Sequence, residues 1–257
     1  METRKAFVRR PSTRLAEGLV THIERRPVDF ELAQKQWQEY VDALRGAGWQ
    51  IIEVDPAPDC PDSAFIEDTM VVYGSVAVIA RPGADERKPE TAAAEEAARR
   101  VGYQIKHIVA PGTLDGGDVL KHGGTVWVGQ GGRTNAEGVR QLREHLAPLG
   151  ANVITVPLSK VLHLKSAVTA LPDGTIIGYE PLVDDVEFWG DAFLGMPEEP
   201  GSHVVILDPN TVLMSSSGPE SIRKIQARGL RVVPVDISEF EKLEGCVTCL
   251  SVRLRGL

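Results

Sequence analysis

The chain has 257 residues, with 28 lysines and arginines against 36 aspartates and glutamates, for a formal net charge of −8. That length supports a core without disulfide staples, and the acidic balance excludes a general nucleic-acid binder, which needs a basic surface to displace phosphate counterions. No apolar run reaches the ~20 residues of a membrane-spanning helix, the basic start has no apolar signal segment, and three cysteines make no disulfide framework. The expectation is a soluble cytoplasmic protein that works on a small molecule, with no nucleic-acid or membrane partner.

The first predicted strand covers residues 6–9. Asp29 then opens a helix with Ala33, Trp37, Tyr40, Val41 and Leu44 on one face; Gly48 stops it, and Ile51, Ile52 and Val54 follow as a strand. Strands 65–73 and 75–79 pair around Tyr73-Gly74. A helix from Pro89 stops at Gly102 and leads into strand 104–109, and strands 118–120 and 125–128 pair across Gly123-Gly124. Thr134 is the expected N-cap of a helix carrying Val139, Leu142 and Leu146, followed by strand 152–156. Strands 167–171 and 175–179 flank Pro172-Asp173-Gly174, after which 184–195 gives at most a short helix and no clear strand. Strands 204–207 and 211–214 pair across Pro209-Asn210, a helix with Ile222 and Ile225 stops at Gly229, and strands 231–235 and 250–254 close the chain.

Phe65, Asp115 and Lys165 open successive units 50 residues apart, a repeat period. Neither terminal strand has a hairpin mate nearby. Pairing them with each other would close a ring of five units; the alternative is an open α/β sheet with hairpin insertions. Either arrangement makes residues 1–257 a single domain.

Several clusters bear chemistry. Cys246-Val247-Thr248-Cys249 has only Cys60 left to complete a zinc site, and it leads into a strand where a redox pair would open a helix. It reads either as two small buried cysteines or as one nucleophilic thiol needing a histidine and a carboxylate elsewhere. His145 falls on a solvated helix and His107 in a strand, whereas His163 sits in the apolar bracket 161–166 where the third unit meets the fourth. Such a histidine is a core residue or an acid–base group. In Leu114-Asp115-Gly116-Gly117-Asp118, two carboxylates flank glycines that permit a tight turn and close ligand approach; no EF-hand register follows to support calcium. Asp62, Glu67 and Asp68 gather ahead of the apolar 69–73, a cluster suited to a metal or a cationic ligand, and extended backbone would point Glu67 and Asp68 to opposite faces. Arg81 and Arg133 each follow a hairpin and precede a helix, where a guanidinium fork grips a carboxylate or pairs at the surface. Loop 19–27 is a lid or a plain surface loop.

Taken in order, Phe65-Ile66-Glu67-Asp68-Thr69, Leu114-Asp115-Gly116-Gly117-Asp118-Val119-Leu120, Gly132-Arg133-Thr134-Asn135, His163-Leu164-Lys165-Ser166 and Gly245-Cys246-Val247-Thr248-Cys249 resemble the dimethylarginine dimethylaminohydrolase family over about residues 6–255. The resemblance implies a five-bladed α/β propeller of ββαβ units with the N- and C-terminal strands closing the ring. It implies Cys249 as nucleophile with Cys246 a neighbour, His163 as general acid and base, and Asp115 as the group orienting it. Asp62, Glu67 and Asp68 would hold the guanidinium side of the substrate, Arg81 and Arg133 its α-carboxylate, and Leu19 and Leu243 would supply backbone contacts. The implied reaction is hydrolysis of N-methylated arginine to citrulline and dimethylamine or methylamine through a cysteine thiouronium, with no metal or organic cofactor and with a homodimer left open as the assembly. Two alternatives stand beside it: hydrolysis of unmethylated arginine to citrulline and ammonia, and a non-catalytic arginine-binding relative. Retention of Cys249, His163 and Asp115 together argues against the second.

Overall fold

In the computed structural model, which describes residues 4–254, the strands fall into five three-stranded sheets. β1 (Lys5–Val8) is followed by α1 (Phe30–Gly46) and by β2 (Gln50–Glu53), which returns parallel to β1. Asp29 starts α1 by accepting the Leu32 N–H at 3.0 Å, and the helical spacing buries Ala33, Trp37, Tyr40, Val41 and Leu44. β3 (Met70–Tyr73) and β4 (Val76–Ile79) form a hairpin, and α2 (Thr91–Val101) brings β5 (Gln104–His107) back parallel to β4.

The pattern repeats. β6 (Val119–His122) and β7 (Thr125–Gln130) pair antiparallel, and α3 (Ala136–Leu146) returns β8 (Asn152–Pro157) parallel to β7. The short α4 (Leu164–Ala167) precedes β9 (Val168–Ala170), β10 (Ile176–Gly178) and β11 (Phe193–Gly195). β12 (Val204–Asp208), β13 (Thr211–Ser215), α5 (Pro219–Ala227) and β14 (Arg231–Val235) make the last sheet. After α6 (Ser238–Glu241), β15 (Val252–Leu254) runs antiparallel to β1.

Five ββαβ-like units are therefore present, and the terminal strands do pair, with Lys5 opposite Leu254 and Phe7 opposite Val252. The expected five-bladed propeller, with its ring closed by these two strands, does not form. The five sheets are separate, and among the described residues no named strand is hydrogen-bonded into two of them, so the β1–β15 pairing completes one sheet and closes nothing. Neighbouring sheets meet instead through apolar side chains. Phe7 and Val252 pack with Met70, Val72 and Ile79, and Val71 and Val78 pack with Val119, Val126 and Val128.

Three local departures matter. Residues Ile66–Thr69 form a 3₁₀ turn ahead of β3, where a continuous strand was expected. Asp85–Glu90 forms its own 3₁₀ turn, so α2 starts at Thr91 and not at Pro89. In the fourth unit Glu187–Ala192 is a 3₁₀ segment broken at Gly190 (φ +52°), and a strand does follow it: β11, parallel to β10. Three half-buried residues are too few to show an alternating pattern in sequence.

Candidate active site

The chemistry-bearing residues cluster because of the repeat. In three units a tight helical segment sits immediately before the first strand of a hairpin: Ile66–Thr69 before β3, Gly116–Asp118 before β6, and α4 before β9. A turn over 246–250 occupies the corresponding place before β15. Asp68, Asp115, His163 and Cys249 lie in or beside these four segments.

His163 is 3% exposed. Its Nε2 lies 2.9 Å from Asp115 Oδ2 and its Nδ1 lies 3.7 Å from Asp68 Oδ1. Asp115 is fixed in turn by the Gly83 N–H (2.9 Å) and by Arg133 Nη1 (3.3 Å). The Thr134 hydroxyl accepts from the Asp115 N–H and donates to Asp118 at 2.6 Å, and the other Asp118 oxygen accepts the Leu164 N–H at 3.0 Å. That chain sets the backbone next to His163, and it explains why Thr134 does not cap α3. Asn135 does, through the Gly138 N–H. Gly117 donates its N–H to Asp68 Oδ1 at 2.8 Å. A Cβ at Gly117 would stand 2.6 Å from both Asp68 Oδ1 and His163 Nδ1, so only glycine lets the two groups approach.

Burial alone would lower the His163 pKa, but the carboxylate of Asp68, the hydrogen bond to Asp115, and the charges of Asp118 and Asp115 outweigh it and raise it to about 9. At neutral pH the ring is an imidazolium. Burial likewise opposes the charge on Asp68, yet His163, Arg87 and Arg133 hold its carboxyl well below the usual range. Burial raises Asp118 to about 6, against the pull of His163 and Thr134. Asp68, Asp115 and His163 present donor atoms within 4.8 Å of one another, the spacing of a metal site. Each carboxylate already faces a guanidinium, Arg87 on Asp68 and Arg133 on Asp115, and that positive charge opposes a metal dication there.

Cys249 closes a turn, its N–H donating to the Cys246 carbonyl at 3.1 Å, while its own carbonyl accepts the Glu67 N–H at 3.1 Å. Its sulfur lies 3.4 Å from Cys246 Sγ and 3.5 Å from the Cys246 nitrogen. The hydrogen bond with Cys246, then burial, then the charges of Cys246, Glu67 and Asp68 push the Cys249 thiol well above the ordinary cysteine value.

Cys249, His163, Asp68, Asp62, Leu19, Leu243, Arg133 and Arg87 line one narrow cleft. Of the site residues singled out in sequence, Asp115, Arg81 and Glu67 do not line it; Asp115 is fully buried behind His163. Arg81 reaches the Gly112 carbonyl at 3.1 Å, and its own carbonyl accepts the Leu114 N–H, so it braces the strand leading to Asp115. Glu67 turns the other way: Oε1 takes Lys165 Nζ at 2.6 Å and Arg253 Nη2 at 2.5 Å beside a separate cavity. The divergence of Glu67 and Asp68 is as anticipated, although a 3₁₀ turn produces it.

Beside Arg133, a second guanidinium enters the cleft: Arg87, 4% exposed, bonded to Asp68 and held by both carboxylate oxygens of Glu90 (3.0 and 2.8 Å). In sequence it hides in the charged run Asp85-Glu86-Arg87-Lys88, which looks like a solvated surface. The i,i+3 spacing to Glu90 is its only local signal. Over the cleft, Leu19 donates its N–H to both Asp62 oxygens (3.2 and 3.1 Å), and burial raises the Asp62 carboxyl against the pull of Arg87. The loop that follows is clasped by Glu244, which accepts the Thr21 N–H at 2.9 Å and also the His22 N–H while sitting at φ 61°.

These features define a class: α/β proteins of five small sheets whose cleft carries a cysteine, a carboxylate-bound histidine, and guanidiniums beside carboxylates. No family model matches the chain. An N(G),N(G)-dimethylarginine dimethylaminohydrolase from Streptomyces coelicolor is 60% identical over 257 residues, covering 100% of this chain and 99% of its own. One of the same name from Pseudomonas aeruginosa is 34% identical over 249 residues, covering 96% and 98%. The solved structure of that organism's enzyme, as a cysteine-to-serine mutant complexed with citrulline, superimposes with a TM-score of 0.91 at 32% identity, covering 99% of this chain and 100% of that one. The chain belongs to the dimethylarginine dimethylaminohydrolase family.

Proposed function

We propose that the chain hydrolyses N-methylated arginine to citrulline and dimethylamine or methylamine, with Cys249 as nucleophile. The observation that carries the reading is the shared cleft of Cys249 and His163, with the His163 ring held at 2.9 Å by Asp115. The Cys249 thiolate adds to the guanidinium carbon. His163 gives its proton to the departing amine, leaving a thiouronium on sulfur. Neutral His163 then takes a proton from water as its oxygen attacks the same carbon; the C–S bond breaks, citrulline leaves and the thiolate returns. One acid–base group serves both halves, and no step calls on a metal or an organic cofactor.

Asp62 and Asp68 face the cationic end, which orients the guanidinium and keeps it charged. Arg133 and Arg87 receive the α-carboxylate; Arg87 takes the role the sequence assigned to Arg81, because Arg87 lines the cleft. Leu19 and Leu243 supply backbone contacts, and loop 19–27 acts as the lid, latched by Glu244. A buried thiol among carboxylates is a poor thiolate, so the positive substrate itself helps to generate it.

No helix among the described residues is long and apolar enough to cross a membrane. Three free buried cysteines fit a reducing, cytoplasmic setting, and we propose one domain over residues 1–257 that assembles as a homodimer.

The reading is tested by kcat/KM on dimethylarginine, monomethylarginine and arginine. A methylene-sized difference in an apolar pocket is worth roughly 10–200-fold, so at least one methylated substrate should exceed arginine by about tenfold. Arginine as the best of the three would replace the proposal with a deiminase.

A further inference from the structure

We infer that Cys246 and Cys249 form a modification site, an oxidisable dithiol in which Cys246 captures an oxidised Cys249 as an intramolecular disulfide. The catalytic reading uses one of these sulfurs and gives the other no task. Yet Cys246 is 4% exposed and its sulfur is 3.4 Å from that of Cys249. The backbone is already shaped for a bridge. The hydrogen bond from the Cys249 N–H to the Cys246 carbonyl closes a four-residue turn, which brings the two Cα atoms within about 7 Å; a disulfide spans roughly 4.4–6.8 Å. Closing the sulfur gap to about 2.0 Å therefore needs side-chain rotation and little backbone movement.

Access is asymmetric. Cys249 lines the cleft and Cys246 does not, so a small oxidant meets Cys249 first. With hydrogen peroxide as oxidant, the Cys249 sulfur attacks one oxygen as its proton passes to the neighbouring Cys246 sulfur, 3.4 Å away. The S–O bond forms and the O–O bond breaks, leaving a sulfenic acid and a hydroxide that is protonated to water. Cys246 sulfur then attacks Cys249 sulfur; the S–S bond forms, the S–O bond breaks, and the leaving hydroxide departs as water with the Cys246 proton. Two thiols have lost two electrons, peroxide has gained them, and an external dithiol reverses the change. The bridge stops oxidation before the irreversible sulfinic acid. Cys60 does not line the cleft and takes no part.

The test is peptide mapping by mass spectrometry of the whole protein after hydrogen peroxide, without reduction. A peptide bridging Cys246 and Cys249, lighter by two hydrogens and opened by dithiothreitol, is the expected result. In Cys246→Ser the same treatment should add two oxygens at Cys249, and the share of activity recovered by dithiothreitol should fall at least about fivefold below wild type, each protein compared with its own untreated sample. Cys60→Ser should behave as wild type, and Cys246→Ala replaces Cys246→Ser if the serine variant does not fold. Over-oxidised Cys249 in the wild type without the bridge, or equal recovery in the Cys246 variants, overturns the proposal. The bridge is read by mass and not by turnover, so its absence would leave the catalytic reading untouched.

Discussion

Cys249→Ser is expected to lower kcat/KM on dimethylarginine by at least about 10³-fold, equivalent to about 4 kcal/mol of transition-state stabilisation, with no loss of thermal stability beyond about 1 kcal/mol. The size of the loss follows from the state of the histidine. His163 is pushed up to about 9, so at neutral pH it is an acid with no free lone pair to deprotonate a serine hydroxyl. A thiol can reach its anion when the cationic substrate arrives; an alcohol, intrinsically far less acidic, cannot. Steady-state kinetics beside a thermal melt checks both halves, and turnover within about tenfold of wild type would remove Cys249 as nucleophile.

His163→Gln should cost roughly 10²–10⁴ in kcat, the range of a lost acid–base group. Glutamine can still hydrogen-bond Asp115 but holds no transferable proton. The wild-type rate should fall on the alkaline side with an apparent pKa of about 9, and that limb should vanish in the variant. Stability changes with the opposite emphasis. The folded pKa of about 9 exceeds the unfolded 6.5, so the ion pairing of His163 stabilises the fold fully below about 6.5 and is lost as pH rises through 9. Wild type should thus lose stability relative to His163→Gln across that window. A difference in Tm that does not change with pH would mean the ring is neutral throughout.

The parts of this fold that could be seen in sequence are those where local signals coincide. Asp29, the apolar face of α1 and Gly48 each point to the same helix, and the 50-residue spacing of Phe65, Asp115 and Lys165 marks the turns that carry the site. What could not be seen depends on partners distant in sequence. Nothing local to Arg87 marks it as buried until Asp68, 19 residues away, is brought against it. Thr134 looks like a helix cap because its bond to Asp118 crosses between segments. Glu67 and Asp68 are adjacent in sequence, yet only the positions of Lys165, Arg253 and Arg87 decide which faces the cleft. Terminal strands without hairpin mates announce their own pairing, but hydrogen bonding between sheets leaves no mark on composition, so five separate sheets look the same in sequence as a closed ring.

The account stands most directly on the bond between Cys249 sulfur and the guanidinium carbon. Enzyme mixed with dimethylarginine in a single turnover, quenched in acid at millisecond intervals and mapped by mass spectrometry, should carry the substrate skeleton minus dimethylamine on the peptide containing Cys249. That species should rise before citrulline appears and decay as citrulline forms. Citrulline accumulating while Cys249 stays unmodified at every time point, or an adduct on any other residue with the same kinetics, would contradict the account.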